Sequence, residues 1–364
     1  MSDWAPDRQH GFTLIELMVG VAIGLLSTLV IAMVMKEAEG YKRSTQTGTE
    51  AQVNGALGLY ALSRELESAG YGFSGFPNSM GCNISAQYGG AAVGNFSATL
   101  APVLITTNPA GSDTVRIMAS QSNSFKAPTS IVGLGYAPNT PALASNFPVQ
   151  SPIGIAGGDL LIAVPNGGGN CELFQASGAA TAAGVPRSDS ATWNATGWPT
   201  ATYVAGDSLV NLGSLRDSLY SVNATTFVLQ SDSFVNAAPP SRNTAQLQPN
   251  VVMLKAYYGW AAVDPGPLVR FDSVTPTTNA GWRTLRAVRL ALVVRSELKE
   301  KDVVTTVNPL WDVGSTFAVP GSVACGASQC VTLNVQTVVG TDWDHYRYRV
   351  FDTIVYLRNT QWRD

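Results

Sequence analysis

Histidine is nearly missing from this chain of 364 residues: only His10 and His345 are present. Catalytic or metal chemistry built on histidine therefore has almost nothing to work with. Charge is scarce too, at 13% of residues with a net charge of −3. No face of clustered lysine and arginine is available, so the electrostatic footprint of a nucleic-acid binder is absent. There is no G-x-S-x-G elbow, no H-E-x-x-H and no phosphate-binding glycine loop set between strand and helix. The sequence gives no reason to expect an enzyme, a cofactor or a metal. The one cluster of ligand-type residues, Asp342, Asp344 and His345, lies between Thr341 and Tyr346 beside an expected strand. A solvated turn that orients the last strand is the simpler reading. No internal repeat is visible.

What is present in quantity is glycine (35) and proline (20), the composition of a loop-rich extracytoplasmic protein. The length is ample for a large core. Four cysteines, Cys82, Cys171, Cys325 and Cys330, are even in number and lack CxxC spacing. That suits disulfides in an oxidising compartment better than zinc. Three pairings are open to four cysteines. The short, flexible Gly-Ala-Ser-Gln between Cys325 and Cys330 allows that pair to close, leaving Cys82 with Cys171; four free thiols are the alternative.

One long apolar run stands out. Phe12 to Met35 carries a single charge, Glu16, over 24 residues, and about 20 apolar residues suffice to cross a bilayer as a helix. The run is too long for the apolar core of a cleaved secretory signal. A carboxylate at membrane depth costs several kcal/mol unless neutralised or paired, so Glu16 is expected to have a function. It lies roughly 6 Å along a helix from Phe12. Cutting between Gly11 and Phe12 would create an ammonium near that depth. In a packed fibre, the carboxylate of one subunit could then meet the amine of another. Lys36, Lys42 and Arg43 follow the span, while only Arg8 and the amine precede it, so counting positive charges leaves orientation open or reverses it. Gly20 and Gly24 form a GxxxG, a pattern common by chance.

The helical pattern continues to about Ala69, with Leu59, Leu62, Leu66 and Ala69 on one face. Gly40, Gly48, Gly55 and Gly58 interrupt it, and 40–58 is expected to bend or melt during assembly. Gly70 is the expected left-handed cap. Beyond Gly72, short alternating runs separated by Gly, Pro, Asn and Ser predict a β-rich domain. Strands are expected at Asp113–Ala119, Asp159–Val164, Cys171–Gln175, Thr225–Gln230, Val251–Tyr258, Arg286–Ser296, Val331–Thr337 and Thr353–Leu357. In the clearest, Val288, Leu290, Leu292 and Val294 face one way, with Arg289, Ala291, Val293 and Arg295 facing the other. Residues 121–152 and 176–204 read as long exposed loops. The expected fold class is α+β, a long N-terminal transmembrane and amphipathic helix on a mainly antiparallel β domain. Its expected divisions are 1–11, a leader; 12–35, the span; 36–70, the rest of the helix; and 71–364, the globular region.

The residues Gly11-Phe12-Thr13-Leu14-Ile15-Glu16-Leu17 match the type IV prepilin signature. The resemblance implies that a prepilin peptidase cuts after Gly11 and that the Phe12 amine is N-methylated. Glu16 would serve assembly, and the C-terminus would lie in the periplasm. Leaders of the family are usually basic, whereas this one has Asp3 and Asp7 against Arg8. Further phrases resemble PilW-type minor pilins almost from end to end: 55–72 (GALGLYALSRELESAGYG), 111–117 (GSDTVRI), 171–175 (CELFQ), 251–260 (VVMLKAYYGW), 288–296 (VRLALVVRS) and 350–359 (VFDTIVYLRN). That resemblance implies a low-abundance pilus subunit, exported from the inner membrane to the cell-surface fibre. It would prime assembly with other minor pilins and the major pilin, engage the inner-membrane assembly platform, and connect to a PilY-family tip adhesin. A J-type minor pseudopilin of type II secretion shares the leader, and a directly adhesive subunit is a third reading. An exposed aromatic patch would favour adhesion; a buried aromatic set would favour a structural subunit.

Overall fold

The computed structural model describes residues 11–75, 78–92, 98–121, 128–317 and 319–361. Two compact units divide at Glu50 and Ala51. Helix α1, Leu14–Glu67, supplies the first and enters the second. In the single subunit the helix runs unbroken through Gly40, Gly48, Gly55 and Gly58.

In the second unit the packing explains two of these glycines. Ala51, Gly55, Gly58, Leu62, Leu66 and Ala69 are buried at three- and four-residue spacing. A Cβ at Gly55 would fall 2.2 Å from the Phe351 ring, and one at Gly58 would fall 3.1 Å from Leu292 Cδ1. The helix lies against its sheets too closely for side chains there. After Glu67 the chain turns through Gly70, whose φ of 74° is the left-handed geometry expected of a cap. Its N–H donates to Met118 O at 2.8 Å.

The principal strands, in chain order, are β1 (Asn83–Tyr88), β2 (Val103–Thr106), β3 (Thr114–Ala119), β4 (Leu160–Val164), β5 (Asn170–Gln175), β6 (Ser208–Gly213), β7 (Arg216–Asn223), β8 (Val228–Val235) and β9 (Ser241–Gln248). They continue as β10 (Val251–Ala261), β11 (Leu268–Asp272), β12 (Leu285–Arg295), β13 (Leu310–Gly314), β14 (Val323–Cys325), β15 (Ser328–Thr332) and β16 (Tyr348–Tyr356). Four sheets result, in the orders β1-β5-β4-β6, β9-β8-β7-β3-β2, β11-β10-β12-β16 and β13-β15-β14. Among these strands every pairing is antiparallel except β1 with β5. The fold is α+β.

The β12 alternation holds as the sequence expects. Val288, Leu290, Leu292 and Val294 join the core beneath α1, while Ala287, Ala291 and Val293 join a core shared with β13 to β15. The Arg289 guanidinium is buried there, donating to Val313 O at 2.7 Å and lying 5.3 Å from the Trp311 ring centroid.

Several sequence expectations need correcting. Val331–Thr337 is not one strand: β15 stops at Thr332, and Val335–Val339 is a short helix. Short apolar runs do not distinguish the two. The strand expected from Thr225 begins only at Val228, because Asn223 Oδ1 accepts from Thr225 and Thr226 N–H and makes a turn. The expected Thr353–Leu357 is the end of a longer strand, β16.

Residues 128–152 and 176–204 are irregular, as expected, but not simply exposed. Tyr136, Phe147, Val185, Trp198 and Tyr203 form a separate core with Leu161, Phe174 and Leu209 on the outer face of the first sheet. Phe147 stacks between Tyr136 and Phe174, with centroids 4.2 and 4.4 Å away.

Candidate functional site

The first described residues carry the motif. Gly11, Phe12 and Thr13 precede α1, and Phe12 is 89% exposed. Thr13 Oγ1 accepts from the Glu16 N–H at 3.3 Å, while Glu16 Oε2 accepts from Thr13 N–H at 3.0 Å and from Thr13 Oγ1 at 2.9 Å. This is a capping box: Thr13 stands before the first helical residue and Glu16 closes the first turn. The sequence reading assigned Glu16 only an assembly role. The Thr-x-x-Glu spacing was the available signal that it also starts the helix. Both Thr13 bonds fall on Oε2.

Between Leu14 and Glu39 the helix holds an 18-residue window with a mean hydropathy of 2.6 and is apolar enough to cross a membrane. Its side chains are exposed on every side, as suits lipid or the helices of other subunits. Nothing lies within 4 Å of a Cβ built at Gly20 or Gly24. Residues 1–10 of the expected leader lie outside the described residues.

Cys82–Cys171 and Cys325–Cys330 are disulfides, with Cα separations of 5.7 and 5.8 Å. The first pins the parallel register of β1 on β5; the second closes the β14–β15 hairpin. Asp312 lies near Cys325 and Cys330, but both sulfurs are committed to each other.

The Asp342–His345 segment behaves as a turn. Asp342 accepts from Lys299 Nζ at 2.7 Å, and Asp344 O accepts from Val304 and Thr305 N–H. The lysine hydrogen bond holds the Asp342 carboxyl below the ordinary carboxylate range. A cleft of about 420 Å³ is lined by Asn78, Asn166, the glycines 167–169 and Asn279, and no titratable side chain lines it.

Four carboxylates are buried among the described residues, Asp113, Glu172, Asp207 and Asp217, and two of them hold networks that were not singled out from sequence. Glu172 on β5 accepts from Thr200 N–H (2.9 Å), Thr200 Oγ1 (2.5 Å), Ala201 N–H (2.9 Å) and Tyr203 Oη (3.0 Å). It ties the 176–204 segment to the sheet. Asp217 on β7 takes a bidentate pair from Arg116 at 2.6 Å and a bond from Arg242 at 2.9 Å. Only the polar letters themselves signalled these sites, and polar letters more often mark surface. Among the described tryptophans, Trp193, Trp198, Trp260, Trp282 and Trp311 are buried, which favours a structural subunit over an aromatic ligand platform.

The class follows from the motif and the helix it begins: residues 6–32 match the prokaryotic N-terminal methylation motif, the mark of type IV prepilins. A second match is narrower. Residues 217–359 match the type IV pilus-assembly protein W family, and the two matches together support a PilW-type minor pilin of the type IV pilus. No curated protein matches the chain. A solved type IV-like pilin from Thermus thermophilus is similar over 85% of this chain and 98% of that one, at 11% identity and a TM-score of 0.32.

Proposed function

We propose that this minor pilin primes assembly of a type IV pilus and resides at or near the fibre tip, where it presents a PilY-family adhesin. A prepilin peptidase removes Met1–Gly11 and the Phe12 amine is methylated. The globular unit then stands in the periplasm on the Leu14–Glu39 span. Working with the assembly platform, other minor pilins and the major pilin, the subunit leaves the membrane for the fibre.

The observation that carries this reading is the placement of Glu16. It closes the first turn of a helix whose stretch from Leu17 to Met35 carries no other charge and is exposed in every direction. Its Oε2 holds both Thr13 hydrogen bonds, so Oε1 can accept the Phe12 ammonium of a neighbouring subunit without uncapping the helix. That pair removes two lone charges from an apolar setting and fixes axial register.

Glu16→Ala is therefore expected to be cleaved normally yet to be poorly incorporated, leaving cells with few pili. Normal pilus numbers in a strain carrying only Glu16→Ala would overturn the assembly role. Gly11→Leu should instead stop processing, read as retention of the precursor mass in the inner membrane.

A further inference from the structure

The longest uncovered apolar strand edge in the described structure is the outer edge of β16. Leu357 N–H donates to Arg286 O, and Ser296 N–H donates to Arg347 O. With the unbroken register from Ala287↔Tyr356 to Arg295↔Tyr348, odd-numbered residues of β16 therefore carry the ladder to β12. The N–H and C=O groups of Val350, Asp352, Ile354 and Tyr356 point away from it. No described strand pairs on that side.

Three other sheet edges are protected. β9 presents Ser-Arg-Asn-Thr-Ala-Gln-Leu-Gln. On β2, the Ile105 N–H is taken by Tyr258 Oη at 2.7 Å. β11 is only five residues long and carries Arg270 and Asp272. β16 has no proline, no bulge and no lysine, and its run Val350-Phe351-Asp352-Thr353-Ile354-Val355-Tyr356 is apolar or β-branched but for one acid. Its single acid, Asp352, is paired with Arg289. Ile354 and Tyr356 are 36% and 54% exposed. Such an edge is a template for another strand.

The flanking charges say what kind of strand. Arg349 on β16 and Arg358, which opens a short 3-10 turn two residues past the strand, are exposed and have no ion-pair partner among the described residues, and about 30 Å separates them. A second copy is a poor occupant, because full antiparallel self-pairing about Thr353 sets Arg349 opposite Leu357, beside Arg358, at both ends. We infer that the outer edge of β16 is a strand-addition site for an extended segment of another protein, apolar and β-branched in its middle and acidic at both ends. Main-chain bonds to 350, 352, 354 and 356 hold it, and Arg349 and Arg358 set its register.

The probe is a synthetic, end-capped peptide of alternating valine and threonine with a glutamate at each end, added to the full chain in lipid nanodiscs. Empty nanodiscs and a lysine-ended peptide are the controls. Binding is expected, with slowed amide exchange at Val350, Asp352, Ile354 and Tyr356 and unchanged exchange at the odd-numbered amides. Ile354→Pro removes an outward N–H without touching the inner ladder, and should lower affinity about tenfold. Arg349→Glu or Arg358→Glu should each lower it about threefold in low salt. No binding by the unaltered chain, or binding without protection at those four amides, would overturn the site. The exchange measurement needs no substitution, so it decides the matter even if Ile354→Pro fails to fold.

Discussion

The two stretches of α1 obey different rules. Between Leu14 and Met35 nearly every residue is apolar and all are exposed. Between Ala51 and Glu67 one stripe of small and apolar residues, Ala51, Gly55, Gly58, Leu62 and Leu66, is buried, while Val53, Leu57 and Tyr60 off that stripe stay exposed. A helix that faces lipid on all sides has no inside, so its sequence needs no period. A helix that faces a sheet on one side needs one, and where the sheet comes closest it needs glycine. The same residue type thus has two meanings: Gly20 meets nothing, while Gly55 is required by Phe351.

The strongest test of that contrast compares leucines. Leu66→Ala is expected to cost the globular unit about 2–5 kcal/mol, because Leu66 is fully buried. Leu25→Ala should leave its unfolding midpoint unchanged, since Leu25 has no core to vacate. Denaturant melts of both variants in detergent check this, and equal shifts would erase the distinction. Next come the glycines. Gly55→Ala should destabilise by about 1–3 kcal/mol through overpacking on Phe351. Gly48→Ala, with open space around it, should be neutral or stabilise by up to about 1 kcal/mol.

A third test uses pH. Burial pushes the Tyr136 phenol up to about 12, and the phenols of Tyr203, Tyr220, Tyr257, Tyr258 and Tyr348 are raised too, burial being the main cause in each. A raised phenol favours the folded state below the unfolded value of about 10, and that contribution is lost as pH climbs through the folded value. The globular unit should therefore unfold cooperatively on alkaline titration, with phenolate absorbance rising together with loss of tertiary circular dichroism. The Leu14–Glu39 stretch contains no tyrosine and should remain helical in lipid. The smallest expected effect is at the opposite extreme. Asp342, held low by Lys299, stabilises its turn at neutral pH. That contribution fades as pH falls below about 4 and is absent in Lys299→Ala, readable as faster amide exchange at 343–345.

The same contrast explains what could be read in advance. The apolar run from Phe12, the helix face at Leu62 and Leu66, and the alternation at β12 were legible because solvent, lipid or a two-sided core imposes a pattern on many residues at once. β7 and β9 were not, since Arg216-Asp217-Ser218 and Ser241-Arg242-Asn243 hide a buried ion-pair network behind polar letters. The aromatic core of 128–152 and 176–204 escaped for another reason: irregular backbone buries Tyr136, Trp198 and Tyr203 without a period. At the N-terminus the motif Gly11-Phe12 and Glu16 was plain, but the Thr13 half of the capping box was passed over.

The central claim is that the chain is processed at Gly11–Phe12 and travels into a fibre as a scarce subunit. Mass spectrometry of sheared surface fibres beside the inner-membrane fraction of the same cells tests it most directly. A peptide beginning at methylated Phe12 in the fibres, at low stoichiometry against the major subunit, is the predicted result. Fibres that lack the chain, or that contain it still bearing Met1–Gly11, would contradict the account.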